Sequence, residues 1–168
     1  MTARSRTSPS GDEGSGGRSP IGEVRLRSVT EDDLPVFYEH QRDPIAHRMA
    51  AFSPRERDAF MAHWGSILRD ASGVHRTIEL DGTVAGYIVL FGIEGRREVG
   101  YWVGREFWGR GVATRALAAF LDEVSERPIY AGVADTNVAS IRVLEKCGFT
   151  VPEANAEEHA GEVLMLLE

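Results

Sequence analysis

Cysteine is nearly absent from the sequence, which has one, Cys147, in 168 residues. A single cysteine cannot form a disulfide within the chain, which favours a reducing compartment and predicts a cytoplasmic protein. Cys147 also precedes the glycine that ends a predicted helix, whereas reactive thiols favour helix N-termini, where their pKa falls. We therefore expect this cysteine to fill space in the core rather than to act as a nucleophile.

Long apolar runs are absent as well. No stretch reaches the roughly 18 apolar residues of a membrane-spanning helix, and the first residues lack the apolar region of a secretory signal. The five histidines show no ligand spacing such as His-x-x-x-His, so the sequence predicts no bound metal. These absences point away from membrane proteins and from metal-dependent enzymes.

Positive charge is in deficit, with 19 Lys and Arg residues against 26 Asp and Glu residues and a net charge of −7. Proteins that grip a phosphate backbone need a basic face, so nucleic acid is not an expected partner. An acidic surface suits a cationic substrate such as an amine, although the same charge is also typical of a protein that is simply soluble.

Residues 1–20 are rich in Ser, Gly, Arg and Thr and contain no large apolar residue after Met1. Such a segment cannot bury enough apolar surface to offset its ordering entropy, so we predict a disordered tail. Residues 21–168 are long enough to form one domain with a substantial core.

The domain begins with a predicted strand and two predicted helices. Residues 23–29 alternate like a half-buried strand, and Thr30 with Asp33 forms a capping box that begins the first helix. That helix is expected to end before Pro44. The sequence Ser53-Pro54-Arg55-Glu56 then predicts the start of a second helix, with proline at its first helical position.

The rest of the chain alternates between strand and helix patterns. In order, these are a hairpin of strands 74–80 and 83–91 around Asp81-Gly82, a strand at 99–103, a helix between Ala113 and Val124, a strand at 129–133, a helix at 138–147, a strand from Phe149, and a strand at 163–167. The order β-α-α-β-β-β-α-β-α-β-β combines an antiparallel meander with one βαβ crossover. It predicts an α/β (α+β) protein with a mixed, mostly antiparallel sheet and helices on both faces.

The central stretch from Glu98 to Phe120 reads as a strand, a glycine-rich turn and a helix. Its turn, Trp108-Gly109-Arg110-Gly111, suits a phosphate ligand, because glycines allow close approach and the first helical N–H groups face the anion. The turn is not a P-loop, since Val112-Ala113 follows where Lys-Ser/Thr is required. The turn does not match a dinucleotide fingerprint either, since Thr114 occupies the position at which that fingerprint needs a third small residue.

Two motifs carry a resemblance to a known family. Trp108 to Ala113 resembles the acetyl-CoA signature Q/R-x-x-G-x-G/A of the GNAT acetyltransferases, with Trp in the first position. That departure is similar to the family's ribosomal-protein N-terminal (alanine/serine) acetyltransferase branch. The stretch from Asn137 to Phe149 resembles the second signature, N-x-x-S/A-x-x-x-(Y/L)-E-K-x-G-F. The resemblance covers about residues 24–167.

The resemblance implies a GNAT fold, in which two central strands splay apart, and acetyl-CoA as the co-substrate, with no metal. It implies that the pantetheine arm lies in the gap between these strands. The cofactor-binding residues that it implies are Trp102 and Val103 through their backbone, Gly109, Arg110, Gly111, Val112, Ala113 and Thr114 around the pyrophosphate, and Asn137 and Ser140 near the thioester.

The implied reaction is the attack of a primary amine on the acetyl thioester. Glu98 is the candidate base, acting directly or through water; alternatively it is a strand-edge acid that pairs with Arg96 or Arg97. Many family members have tyrosine where Leu144 stands, so a tyrosine acid is not available there. Ser140 is the second candidate catalytic residue, as a hydrogen-bond donor to the coenzyme sulfur; alternatively it helps to cap its own helix.

The resemblance implies an N-acetyltransferase whose acceptor is an amine, and the branch points to a protein N-terminus. The alternatives are a small amine, such as an aminoglycoside, a polyamine or an amino-acid-like compound, and a non-catalytic acyl-CoA-binding module. The acceptor site in this family involves the linker at 42–52 and the last hairpin at 151–161, which carry no motif here. We expect a monomer or a homodimer.

Overall fold

The computed structural model of the protein describes residues 22–153 and 161–168. The predicted tail at 1–20 and most of the predicted hairpin loop at 151–161 lie outside these residues. Within the described ranges, no helix is long and apolar enough to cross a membrane.

Within residues 22–153 and 161–168, six strands form one sheet in which the spatial order follows the order along the chain. The strands are β1 (Val24–Ser28), β2 (Val74–Leu80), β3 (Thr83–Ile93), β4 (Arg96–Val103), β5 (Ile129–Ala134) and β6 (Glu162–Leu167). Every neighbouring pair is antiparallel except β4 and β5, which are parallel. The predicted mixed, mostly antiparallel sheet is therefore confirmed.

Five helices of the described residues cover the two faces of the sheet. They are α1 (Leu34–Gln41), α2 (Pro44–Ala50), α3 (Arg57–Arg69), α4 (Val112–Glu123) and α5 (Val138–Lys146). The core beneath α4 and α5 contains Leu117, Phe120 and Leu144, whereas Phe37 of α1 and Trp64 of α3 pack on the opposite face of the sheet. Because strand side chains alternate between faces, β3 contributes to both cores, with Ile88 in the first and Tyr87 in the second.

The parallel strands β4 and β5 form a ladder pair at one position. Their register contains a single pair, Glu98 with Tyr130, although β4 continues to Val103 and β5 continues to Ala134. The strands therefore separate toward their C-terminal ends, as expected for a splayed sheet. This opening leaves backbone groups of both strands without a ladder partner, which makes it a natural place for a ligand.

Three predictions about helices and strands are corrected. An additional helix, α2, begins at Pro44, because the carboxylate of Asp43 caps its first turn. Helix α3 begins at Arg57 with Glu56 as its N-cap rather than at the predicted Ser53–Glu56 box. The strand predicted from Phe149 is reduced to one bridge between Thr150 and Leu166.

The predicted capping pair of Thr30 and Asp33 is confirmed and belongs to a buried network. The Asp33 carboxylate accepts hydrogen bonds from the Thr30 amide at 2.9 Å, from the Thr77 hydroxyl at 2.8 Å and from two Arg27 nitrogens at 2.7 and 2.8 Å. Burial alone raises the pKa of this carboxyl, but these hydrogen bonds outweigh burial and lower it to about 2. The network joins β1, β2 and the start of α1.

Candidate active site

The predicted glycine-rich turn forms an open loop between β4 and α4. Gly109 and Gly111 have φ values of 71° and 70°, a left-handed conformation that glycine adopts without strain. Phe107 and Val112 are buried on either side and anchor the loop to the core. No side chain of the described residues caps α4, so the amides of its first turn are available to an anion.

Beside this loop, at the opening between β4 and β5, lies a cavity of about 420 Å³. The predicted cofactor-binding residues that line it are Trp102, Val103, Gly109, Gly111, Val112, Ala113, Thr114, Asn137 and Ser140. Arg110 and Glu98 do not belong to the described lining. The two sequence motifs, which are separated along the chain, therefore meet around one cavity.

Sequence reasoning did not nominate several other lining residues. Ala46, Met49 and Ala50 come from α2, a helix that the sequence analysis missed, and Tyr101, Phe107, Ala139, Val143 and Lys146 complete this group. Lys146 is cationic, and none of the described lining residues carries a carboxylate. Together with the positive end of α4, this composition suits an anionic ligand.

Asn137, Ser140 and Tyr101 form a hydrogen-bonded group at one wall of the cavity. The Asn137 side chain accepts from the Ser140 amide at 3.1 Å and so caps α5, which leaves the Ser140 hydroxyl free of a capping role. That hydroxyl lies 2.7 Å from the phenol oxygen of Tyr101. Burial raises the pKa of Tyr101 to about 12. The alternation of side chains along β4 was the available signal that Tyr101 faces α5.

The backbone of β4 alternates between its two neighbours. A Cβ built on Gly86 of β3 would overlap the carbonyl oxygen of Trp102, so this oxygen points toward β3. Alternation then turns the backbone groups of Tyr101 and Val103 toward the opening. The predicted backbone contact from Trp102 to the coenzyme does not follow from this orientation, although Trp102 is one of the residues that line the cavity.

Two indole groups shape the cavity. Trp108 donates from Nε1 to the Val103 carbonyl at 2.9 Å, so Val103 is left with its amide for a ligand. Trp102 Nε1 is buried and finds no hydrogen-bond partner among the described residues. The ring of Phe52 packs edge-on against Trp102 at 6.1 Å.

Glu98 lies at the beginning of β4, and its side chain is 12% exposed. Its Oε1 accepts from Arg96 Nε at 2.7 Å, as the strand-edge alternative expected. Five residues separate it from Val103, or about 16 Å along a strand. Because side chains alternate, Glu98 faces the α1–α3 side of the sheet, opposite Tyr101.

Two glycines leave this same face open just beyond the contact between β4 and β5. Gly100 follows Glu98 by two residues, and Gly132 follows Tyr130 by two, so both lie on the α1–α3 side. Gly132 is exposed, and a Cβ built on it would overlap the carboxylate of Glu162, which therefore lies beside this glycine. No described residue donates a hydrogen bond to Glu162 in the structure. The sequence analysis did not single out this carboxylate.

Helix α2 is fixed across the opening by its N-cap. One carboxylate oxygen of Asp43 accepts from the amides of Ile45 and Ala46 at 2.9 and 3.2 Å. The other oxygen accepts from Arg105 Nε at 2.6 Å. Arg105 belongs to the short 3-10 turn that follows β4, so one side chain ties α2 to the segment leading into the glycine-rich loop.

Cys147 packs beneath the same loop. Its sulfur lies 3.6 Å from the carbonyl oxygen of Thr114, and burial raises the pKa of the Cys147 thiol. A raised pKa keeps the thiol protonated and unreactive, which agrees with the expected packing role.

The family model described as an acetyltransferase (GNAT) domain matches residues 23–150. This match spans most of the chain, and the protein therefore belongs to the GNAT acetyltransferases. The predicted family is confirmed, and the protein is an acetyl-CoA-dependent N-acetyltransferase. Within the described residues, no group of three or more His, Cys, Asp or Glu side chains is placed to hold a metal ion.

The relatives found by sequence include proteins named for different acceptors. The chain is 29% identical over 138 residues to spermidine N(1)-acetyltransferase of Escherichia coli K12, which covers 76% of this chain and 73% of the relative. It is 27% identical over 100 residues to the putative ribosomal N-acetyltransferase YdaF of Bacillus subtilis, 55% of each chain. The predicted ribosomal-protein branch is thus one of several that these relatives represent.

Solved structures show the same fold. Spermidine N-acetyltransferase from Vibrio cholerae, in complex with CoA and spermine, has a TM-score of 0.71 at 19% identity and covers 85% of this chain and 92% of its own. Mycobacterium smegmatis RimJ, in complex with CoA-disulfide, has a TM-score of 0.67 at 25% identity, with 89% and 84% covered.

Proposed function

We propose that the protein transfers the acetyl group of acetyl-CoA directly to a protein N-terminus. The observation that carries this choice of acceptor is the distribution of carboxylates around the opening. The cavity has none among its described lining residues, and Glu98 on the neighbouring face is neutralised by Arg96. Glu162 is left as a described carboxylate that can receive one ammonium group, whereas a polyamine carries several.

The pKa of the acceptor supports the same choice. An α-amino group has a pKa of about 8, so about a quarter of it is already neutral at pH 7.5. A lysine-type amine has a pKa of about 10.4 and is neutral in about one molecule in a thousand. Because Glu98 is held in an ion pair, an acceptor that needs little help in losing its proton fits this site better.

In this proposal, the amides of Gly109–Thr114 hold the diphosphate of the coenzyme, and the pantetheine arm lies in the opening that leads to Asn137. The Val103 amide donates to the oxyanion that forms at the acetyl carbonyl. The amine nitrogen first bonds to the acetyl carbon, and the carbon–sulfur bond breaks when the oxyanion re-forms the carbonyl. The Ser140 hydroxyl, oriented by Tyr101, donates to the departing thiolate.

Glu98 remains the proposed base, and it acts through water because its side chain is not part of the cavity wall. Glu162, which lies on the same face over Gly132, is the comparison residue for any experiment on Glu98.

Acetylation of a small amine is the second candidate function. The similarity to the spermidine acetyltransferase of Escherichia coli over three quarters of this chain favours it. If the acceptor is a polyamine, both Glu98 and Glu162 are needed, since each ammonium group of the substrate requires a partner.

The test follows the release of free thiol from acetyl-CoA. The acceptors are peptides that begin with Ala or Ser, the same peptides with blocked N-termini and one internal lysine, spermidine, and an aminoglycoside. We expect turnover with the free N-termini and none with the blocked peptides. Turnover with spermidine alone would replace the protein N-terminus by a polyamine as the acceptor.

The same assay compares Glu98→Gln with Glu162→Gln. We expect Glu98→Gln to lower kcat at least tenfold and to shift the rise of activity to higher pH. If Glu98→Gln retains full kcat across the pH range, Glu98 is not the base.

A further inference from the structure

The side chain of Arg115, on the first turn of α4, faces away from the cavity and grips the outer side of the glycine-rich loop. Its Nη2 donates to the carbonyl of Arg110 at 3.0 Å, and its Nε donates to the carbonyl of Gly111 at 3.3 Å. Its Nη1 donates to the carbonyl of Gly22 at 2.6 Å. Arg115 is not one of the described residues that line the cavity.

Holding these carbonyls also fixes the direction of the N–H groups in the same peptides. A trans peptide is planar, and its C=O and N–H groups point in opposite directions. The guanidinium holds the Arg110 carbonyl, so the Gly111 amide points the opposite way. The Gly111 carbonyl accepts both from the guanidinium and from the Arg115 backbone amide at 3.2 Å, so the guanidinium reinforces a direction that the helix also favours for the Val112 amide. Gly111 and Val112 line the cavity. The positive charge also polarises these peptides and strengthens their N–H groups as donors.

The third bond ties the loop to the rest of the fold. Gly22 precedes Glu23, whose amide donates to Asp81 at 2.9 Å and whose carbonyl accepts from the Asp81 amide at 2.9 Å. Asp81 lies in the turn between β2 and β3. The guanidinium thus fixes the loop against a segment that is itself held by the sheet, and the planar fork of arginine suits such a three-way contact.

We infer that Arg115 is a positioning residue for the coenzyme: it aims the amides of Gly111 and Val112 at the diphosphate without touching a phosphate itself. This inference rests on the proposed diphosphate site at Gly109–Thr114. Lysine cannot replace arginine in this role, because its ammonium group cannot span carbonyls of Gly22, Arg110 and Gly111 with one rigid fork. A residue that served only as a positive charge would tolerate lysine.

The experiment measures the Kd of CoA and of 3′-dephospho-CoA by calorimetry for the wild-type chain, Arg115→Lys and Arg115→Ala. The control is Arg69→Lys, at an exposed arginine at the end of α3. We expect both Arg115 variants to bind each ligand about tenfold more weakly, or about 1.4 kcal/mol, and the control to bind as the wild type. The expected loss is equal for the two ligands, because the loop holds the diphosphate and both ligands contain it.

Three results would overturn the inference. Full affinity in Arg115→Lys would show that charge alone suffices. A loss confined to CoA would show that Arg115 binds the 3′-phosphate directly. A lower melting temperature of the unliganded variants with unchanged Kd would show a purely structural role.

Amide chemical shifts separate this inference from the proposed site. If CoA leaves the Gly111 and Val112 amide signals of the wild type unmoved, the diphosphate site is misplaced. If CoA moves them in the wild type and moves them equally in Arg115→Lys, the site stands and the positioning role fails.

Discussion

Substitution of Gly111 by aspartate tests the proposed diphosphate site most directly. Gly111 has a φ of 70°, a conformation that Asn and Asp tolerate better than other non-glycine residues. A Cβ at this position meets Arg115 Nε at 3.9 Å, which is ordinary van der Waals contact, and no other described heavy atom within 4 Å. The side chain therefore fits, and we expect the Gly111→Asp variant to fold.

The loss of affinity follows from charge. Two unit charges about 6 Å apart repel by about 0.7 kcal/mol in a medium with the dielectric constant of water. A carboxylate beside the two charges of a diphosphate therefore costs about 1.4 kcal/mol, which weakens binding about tenfold. Partial neutralisation by Arg115 does not rescue affinity, because a guanidinium drawn to Asp would leave the loop carbonyls.

Gly111→Asn is the matched control, since it has the same size and backbone preference but no charge. Calorimetric titration with acetyl-CoA should show at least a tenfold higher Kd for the aspartate variant than for the asparagine variant, and the gap should narrow at high salt. Equal affinities in two folded variants would refute the placement of the diphosphate at this loop.

Two further predictions concern the buried polar groups. The pKa of Asp33 is lowered from 3.8 to about 2, so its ionisation adds about 2 kcal/mol to the free energy of unfolding above pH 4. This contribution disappears as the pH falls toward 2, and urea unfolding should show the loss in the wild type and not in Asp33→Asn. Tyr101→Phe should lower kcat several-fold by releasing the Ser140 hydroxyl, and the Tyr101→Phe/Ser140→Ala double variant should lose no more than Ser140→Ala alone, since the two groups act as a unit. Additive losses would show that they act separately.

Local chemistry predicted the parts of the fold that depend on neighbouring residues. Asp81-Gly82 forms the predicted turn with φ values of 50° and 79°, and Gly148 ends α5 with a φ of 92°. Gly109 and Gly111 were singled out because glycines allow close approach of a ligand, and both also have a left-handed backbone. At each of these positions, a left-handed backbone favours the residue found, so the sequence alone carries the signal.

Helix α2 shows where a local signal was misread. Pro44 was interpreted as the end of the first helix, yet Asp43-Pro44 is also an N-cap followed by proline at the first helical position. Both meanings are valid locally, and tertiary packing decides between them. The helix start predicted at Ser53-Pro54 was wrong for the same reason. Phe52 packs on Trp102, and the chain remains irregular until Arg57.

Contacts between distant segments were beyond sequence reasoning. The bond from Arg115 to Gly22 joins residues far apart along the chain, and the overlap of Glu162 with Gly132 depends on the register of β5 and β6. The pair of Arg96 and Glu98 was foreseen as an alternative because residues two apart share a strand face. Geometry was needed to show that it forms and that Glu98 stands outside the cavity.

The two faces of the sheet differ where β4 and β5 separate. On one side, α4, α5 and the glycine-rich loop line the cavity, and α2 completes its wall across the opening. On the other side lie Gly100 and Gly132, with Glu98 and Glu162 beside them. In the proposed function, the thioester lies between the strands and the amine approaches it from this second face, where the two glycines leave space beside the backbone. The coenzyme and the amine would then enter the splayed sheet from different faces.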